Sequence, residues 1–268
     1  MEDKTAERVQ QYFTEEGIAD NYKLSFTDLK DEVAKCVDAK TQDEIWEGTK
    51  HDRMGNDGQA RFYDSLSQTI GKLSIYDFCK SRHYESVVWR LSEVYTLLAE
   101  RNVKNVLDVG CANGLEACFL AEEIKDSKVT GIDVSSQMIE LANKRAAKRK
   151  IKNANFIVAD RDKIPFAEGS FDSVFYMHSL AEGTEKDLIN FNAIFNDILI
   201  QRLKEARRVL TDNGILLVLR PSCLELNVPF RFENMERIVS AGFSVETAYW
   251  KDFSNNESTV VVVAKKSS

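Results

Sequence analysis

Two glycines and two aspartates carry the first chemical signal. Gly110 and Gly114 lie in VLDVGCANG at 106–114, where an apolar run meets a helical pattern. Glycine there lets the backbone turn sharply and approach a ligand closely. Asp133 ends the next apolar run, KVTGIDV at 128–134 save one residue, and lies 19 residues beyond Gly114. A carboxylate so placed can accept both ribose hydroxyls of an adenosine. It can equally cap a helix that begins near Ser135 or Ser136. Asp160, followed by Arg161, ends a third run, ANFIVAD. It could accept from an adenine amino group or sit in a plain surface turn. The loop is not the dinucleotide fingerprint G-x-G-x-x-G, because Ala112 and Leu115 stand at its second and third glycine positions. That argues against a nicotinamide dehydrogenase.

His178 follows a fourth apolar run, FDSVFYM at 171–177. An imidazole, with an ordinary pKa of about 6.5, suits proton transfer near neutrality. Packing or hydrogen bonding beside a ligand is the plainer alternative. Met177-His178-Ser179 is not a nucleophile pair, since neighbours on a strand point to opposite faces. Arg82, His83 and Tyr84 precede the helix that leads into the first strand; an arginine there could meet a carboxylate, or merely start a charged helix. The five cysteines have no C-x-x-C spacing and there are three histidines. No metal site or disulfide framework is expected, and a reducing cytoplasm fits.

These groups need elements to hold them. Up to residue 102 the pattern is helical: Val9, Tyr12 and Phe13; then Leu29, Val33, Cys36 and Val37; then Phe62, Leu66 and Ile70; then Val87 to Leu98. Thr41 followed by Glu44 predicts a capping box ahead of Ile45 and Trp46. GTKHDRMGNDG at 48–58 predicts a loop. From residue 103 short apolar runs alternate with helical stretches. Strands are predicted at 103–110, 128–134, 154–160, 171–177 and 214–220, then 243–250 and 258–266. The fold class is therefore α/β: seven strands, mostly parallel, with a terminal antiparallel hairpin across DFSNNE. The expected division is a helical cap at 1–102, which would shape an acceptor site, and a core at 103–268. Between His178 and Gly214 the chain is longer than one crossover helix needs, and Phe191, Ile194, Phe195, Ile198 and Leu199 form an apolar stripe. Core packing and a lid over substrate are both open.

The 268 residues carry a net charge of −7, a poor match to nucleic acid, whose binding needs clustered Lys and Arg. The basic run KRAAKRKIK at 144–152 is expected to be a solvated helix face. The charged start MEDKTAERVQ has no signal-peptide pattern. No apolar run approaches the roughly 18–20 residues of a membrane helix, so no membrane partner is expected.

Four segments, VLDVGCANG, GIDVSSQMIELA, ADRDKIPFAEGSFDSVFYMHSL and RLKEARRVLTDNGILLVL, resemble in order the motifs of class I S-adenosylmethionine (SAM)-dependent methyltransferases. The likeness is greatest to the branch that includes ubiquinone and menaquinone biosynthesis methyltransferases. It covers about 103–220 and implies a Rossmann-like sheet, SAM as cofactor and S-adenosylhomocysteine (SAH) as product. By the same resemblance, Asp108 and the backbone of Gly110, Cys111, Ala112, Asn113 and Gly114 would surround the methionine part. Asp133 would hold the ribose, with Val134 and Met138 against the adenine and Asp160 and Arg161 at its edge. Tyr176, Met177 and His178 would lie beside the sulfonium and the acceptor, and Tyr63 would cover the cofactor. Arg82 and Tyr84 could reach the cofactor carboxylate or the acceptor. Ala112 replaces a usual second glycine, and Asp212-Asn213-Gly214 replaces a usual Pro-Gly-Gly. The implied acceptor is a small molecule, with a short peptide or protein as alternative; a non-catalytic SAM-binding subunit is a further one. The acidic signature of aminopropyl transfer is absent.

Overall fold

The computed structural model describes residues 2–19, 26–46, 56–70, 72–180, 193–223, 230–253 and 257–267. Phe191 lies outside the described residues, as do the side chains of Glu44, Trp46, Arg82, Ile194 and Phe195.

Six helices come first: α1 (Glu2–Glu15), α2 (Phe26–Ala34), α3 (Ala39–Trp46), α4 (Asn56–Leu66), α5 (Ile75–Arg82) and α6 (Tyr84–Glu100). A two-residue hairpin, β1 (Thr69–Ile70) with β2 (Leu73–Ser74), separates α4 from α5. Ile70 therefore leaves the helical pattern that it seemed to extend. The next helix starts afresh because Ser74 caps it, its hydroxyl accepting from the Asp77 amide at 3.0 Å. The expected Thr41 cap also moves. Asp38 Oδ1 accepts from the Thr41 amide at 2.7 Å, so α3 begins earlier.

The main sheet contains β3 (Asn105–Val109), β4 (Lys128–Asp133), β5 (Ala154–Val158), β6 (Phe171–Met177), β7 (Leu210–Cys223), β8 (Phe243–Asp252) and β9 (Glu257–Lys266), in the order β5-β4-β3-β6-β7-β9-β8. Strands β3 to β7 run parallel, and β9 lies antiparallel between β7 and β8. Helices α7 (Leu115–Glu123), α8 (Ser136–Lys148), α9 (Ala193–Val209) and α10 (Phe230–Ser240) cover it. The expected seven-stranded, Rossmann-like sheet with its terminal hairpin is present. The Asp212-Asn213-Gly214 turn lies inside β7, where the register jumps from Leu210 opposite Phe171 to Ile215 opposite Ser173.

Strand alternation makes two cores. Val106, Phe175, Leu217 and Val263 face the side of α1, α6, α7 and α8. Leu107, Val174, Tyr176, Leu216 and Val218 face α9 and α10, joined by Leu199 of the apolar stripe. A third cluster joins Val33, Ile45, Leu66 and Ile75 to Ala112 and Met138, and so seats the helices before α6 on the end of the sheet. After β3 the chain builds outward to β4 and β5 on one side, and β6 pairs on the other. This is where an open α/β sheet leaves a crevice at its carboxyl edge.

Candidate active site

The floor of the crevice is backbone. Leaving β3, the chain makes three left-handed residues within five: Gly110 (φ 78°), Ala112 (φ 45°) and Gly114 (φ 70°). The amides of Gly110 and Cys111 both donate to the Ile132 carbonyl, at 2.8 and 2.9 Å, which hangs the loop on β4. A Cβ on Gly110 would lie 2.3 Å from Ser179 Cβ. Glycine is thus required by conformation and by space. Asp133 fixes the loop from the next strand end: Oδ2 accepts from the Ala112 amide and Oδ1 from the Ser135 amide, both at 2.9 Å. The two sequence readings of Asp133 had been ribose acceptor or helix cap. The cap itself is Ser135, whose hydroxyl accepts from the Met138 amide at 3.0 Å. Asp133 also lines the cleft beside this loop.

Gly110, Ile132, Asp133, Val134, Ala159, Arg161 and Ser179 line a narrow cleft that Gln59 and Tyr63 of α4 cover. Its volume is about 20 Å³, room for one or two water molecules. Two bonds latch α4 to the start of α8: Ser135 Oγ to Asp64 Oδ1 at 2.5 Å and Ser67 Oγ to Gln137 Oε1 at 2.8 Å.

Beyond Tyr63 and Gly110 the space widens into a cavity of about 270 Å³. Phe62, Tyr63 and Tyr76 give it aromatic walls, with centroids 5.2 Å (62–63) and 6.1 Å (63–76) apart in edge-on contact. Ile45, Leu66 and Val87 add aliphatic surface; His83, Met177 and His178 lie at its rim. Its charged lining is Lys80, Arg90, Asp108 and Glu116. Lys80 pairs with Glu116 and lies 4.6 Å from the Tyr76 ring centroid. Burial, then the nearby Glu116 charge, pushes the Asp108 carboxyl well above the usual carboxylate range. An incoming cation would reverse that and favour its ionised form.

Of the residues singled out in the sequence, Tyr63, Asp108, Gly110, Asp133, Val134, Arg161, Met177 and His178 line this connected space. Others lie elsewhere. Tyr176 points to the opposite face of β6, fully buried, its hydroxyl donating to the Arg202 carbonyl at 3.2 Å. Strand alternation gives the cavity to Met177 instead. Tyr84 is turned towards α1, with its ring edge-on to Phe13 at 5.8 Å. Met138 is buried in the third cluster beside Ala112. Asp160 folds back on its own turn, Oδ1 accepting from the Asp162 amide at 2.7 Å. Arg161 reaches across the cleft wall, its Nη1 donating to the Ser179 carbonyl at 2.5 Å. Cys111 packs against Gly131 under the loop.

Sequence reading missed Gln59, Phe62, Tyr76, Cys79, Lys80, Arg90 and Glu116. Most belong to α4 and α5 or to the buried face of α6, and the one signal available was the Ser74-x-x-Asp77 cap that starts α5. The basic run was also misjudged. Lys144 is exposed, but Arg145 and Arg149 are half-buried at the centre of an ion cluster. Arg149 meets Glu15, Glu16 and Glu122 and stacks on Tyr12 at 4.3 Å. Arg145 meets Glu16 and Asp77. Burial works against the Arg145 charge, yet Asp77, Tyr12 and Glu16 outweigh it and raise its pKa.

The residues present fit SAM. Gly110 gives a close-approach cradle, and the carboxyl groups of Asp133 on the cleft and of Asp108 and Glu116 on the cavity suit a ribose and a cationic sulfonium and ammonium. Comparisons agree. The demethylmenaquinone methyltransferase of Thermotoga maritima is 31% identical over 165 residues, 62% of this chain and 60% of that protein. The 27-O-demethylrifamycin SV methyltransferase of Amycolatopsis mediterranei is 33% identical over 127 residues, 46% of each. The chain thus spans less than two thirds of either relative. The [4+2]-cyclase SpnF shares the fold at a TM-score of 0.52 and 20% identity, over 65% of this chain and 80% of that one. A family model described as a methyltransferase domain matches residues 100–259. With that match over more than half its length, the chain belongs to the methyltransferase domain family.

Proposed function

We propose that this chain transfers a methyl group from SAM to a small-molecule acceptor. The observation that carries this reading is the junction at Gly110 and Tyr63, which line both the narrow cleft and the wide cavity. A cofactor lying along the floor would present its methyl group to whatever fills the cavity. The names of the two relatives above specify a menaquinone precursor and a rifamycin, which suits a cavity with aromatic walls. Residues 1–102 act as the cap that shapes the acceptor site and residues 103–268 as the cofactor-binding core.

When bound, SAM supplies a methyl group already activated on a sulfonium. The protein's task is alignment, which can lower a barrier by about 7–11 kcal/mol in favourable cases. Met177 and Tyr63 flank the junction and exclude water. His178 serves as base for an acceptor that must lose a proton, a role worth roughly 10²–10⁴-fold. Its backbone supports this: φ is 67°, in the left-handed region, and the amide donates to Leu219 carbonyl at 3.0 Å, so the exposed ring is held at the cavity rim. Such strain in a non-glycine residue concentrates at functional sites.

The test is incubation with methyl-labelled SAM and a cell extract, with the products resolved by mass. A labelled small molecule is expected. A labelled peptide or protein would favour the second acceptor class. Tight SAH binding without labelled product would favour a non-catalytic subunit, or different chemistry on this fold. In the same assay His178→Ala should slow labelling at least about 100-fold while SAH affinity holds.

A further inference from the structure

A closed ring of hydrogen bonds joins the cofactor loop to one wall of the cavity. Asn113 belongs to the loop, Ser74 and Asp77 to the start of α5, and Arg145 to α8. Arg145 Nη1 donates to the Asn113 carbonyl at 2.5 Å, and Nη2 to Asp77 Oδ2 at 2.8 Å. Ser74 Oγ lies 3.0 Å from the same Asp77 oxygen and accepts from the Asp77 amide at 3.0 Å. Asn113 Nδ2 closes the ring by donating to Ser74 Oγ at 3.2 Å. Ser74, Asp77 and Asn113 are nearly inaccessible, with 6%, 3% and 1% of their surfaces exposed. A buried ring of charge-assisted bonds has few alternative arrangements, since each broken bond strands a polar group away from water.

The ring stands on a stiff base. Arg145 Nε donates to Glu16 Oε2 at 2.9 Å, and Glu16 also takes Arg149 Nη1 at 2.7 Å. The arginine is therefore held from α1 while its other two nitrogens grip the loop and α5. From α5, Tyr76, Cys79 and Lys80 line the cavity. Lys80 adds a second tie through Glu116 on α7. By contrast, the ties from α4 and the residue after it to the start of α8 include an exposed one, Ser67 to Gln137, beside the part-buried Ser135 to Asp64 bond.

We propose that Arg145 is a positioning residue that couples the cofactor loop to the acceptor wall, so that cofactor seated on residues 110–114 orders α5. This rests on the SAM-binding reading above. The coupling has a direction set by the bonds. A ligand packed against the loop backbone fixes the Asn113 carbonyl and amide together. Through Arg145 and Ser74 it then narrows the motion of the α5 residues that face the acceptor. Linkage makes the effect reciprocal: an acceptor held against α5 favours the cofactor-bound loop. In this division α4 is the part that moves to admit ligand, and α5 is the part that reports its arrival.

Amide hydrogen exchange with SAH as the probe tests this without a known acceptor. SAH should slow exchange across residues 75–82 about tenfold in the parent and in Ser74→Thr, which keeps the hydroxyl, but less than about threefold in Ser74→Ala. Asp77→Asn, which weakens the Arg145 arm, should behave like Ser74→Ala. Loop protection at 110–114 should be equal in all four. The ratio with and without SAH is compared within each variant, so a general loosening of α5 does not count. If SAH protects α5 in both Ser74→Ala and Asp77→Asn as it does in the parent, the coupling does not exist. The same holds if SAH protects the parent's loop but not its α5. If SAH leaves the parent's loop unprotected, the cofactor reading fails first and takes this inference with it.

Discussion

The floor and the roof of the crevice are built by different means. The floor at 108–114 and 131–135 is held by main-chain amides, one carboxylate and left-handed backbone. The roof, α4 and α5, is side chains: three aromatic rings, a lysine over one of them and a few latching bonds. A backbone site binds what many ligands share, and its tolerance for substitution is small. A side-chain site can be repopulated without disturbing the sheet. The difference predicts that changes to the glycine backbone of the floor destroy folding and cofactor binding together, whereas changes in the roof alter acceptor choice.

The largest effect should come from Gly110→Ala. The residue is at φ 78°, and its new Cβ would meet Ser179 Cβ at 2.3 Å. Ser179 cannot retreat, because its hydroxyl donates to the Val109 carbonyl and its own carbonyl takes Arg161. Left-handed strain and overpacking together should cost roughly 2–5 kcal/mol. Urea unfolding would measure that, and SAH calorimetry should show no binding. A variant within about 0.5 kcal/mol of the parent, the range of ordinary surface changes, would show that the floor is softer than its geometry implies.

The same contrast explains what could be read from sequence. The floor was legible because its constraints act within a few residues: glycine where φ is positive, an acid at a strand end, strand-length apolar runs between helices. Gly110 and Asp133 stand out that way, whereas Asp108 comes only with the resemblance to the methyltransferase motifs. The roof depends on which helix faces which, and no local pattern encodes it. Lys80 and Glu116 are 36 residues apart, and Arg145 and Asp77 are 68 apart. Arg145 and Arg149 read as solvated because a basic run is usually exposed; their partners Glu15, Glu16 and Asp77 lie in segments that carry no matching signal. Tyr176, Met177 and His178 are expected together beside the sulfonium, but strand alternation turns Tyr176 to the opposite face from Met177.

Asp108→Asn sharpens the comparison, because here the floor's needs for folding and for binding oppose each other. Burial and Glu116 raise the Asp108 pKa in the folded chain above its ordinary 3.8. A raised folded pKa contributes stability that is fully present below the unfolded value and is lost as pH rises through the folded one. Above the unfolded value the parent therefore loses that contribution progressively as pH rises. Asparagine keeps the shape without ionising, so the variant should melt higher. Each 1 kcal/mol gained corresponds to roughly 2–4 °C in a domain of this size. Its melting temperature should also vary less as pH rises above the ordinary carboxylate range. SAH binding should weaken at the same time, since the neutral amide cannot balance the ammonium. A variant that melts lower and still binds SAH as the parent does would remove Asp108 from the site and from the pH argument.

The smallest expected effect tests the junction between floor and roof. Ala112 sits at φ 45°, where a Cβ costs about 1–2 kcal/mol. Glycine would relieve that strain. Yet the methyl group is 2% exposed and belongs to the apolar cluster that seats Val33, Ile45, Leu66 and Ile75 on the sheet. Removing it forfeits about 0.8 kcal/mol of burial, and glycine's extra freedom in the unfolded chain costs a further 0.4–1 kcal/mol or so. The terms nearly cancel, so Ala112→Gly should change global stability by less than about 1 kcal/mol. What should change is local. Amides of α2 to α4 should exchange faster, because their cluster loses the contact supplied by the floor, while SAH affinity stays within about threefold, less than the loss of one net hydrogen bond. If instead stability rises and the cap is unmoved, the alanine is only strained. If the cap loosens at constant stability, the methyl group at 112 is what the helical cap rests on, and a residue that looked like a defect in the glycine loop is the point where roof meets floor.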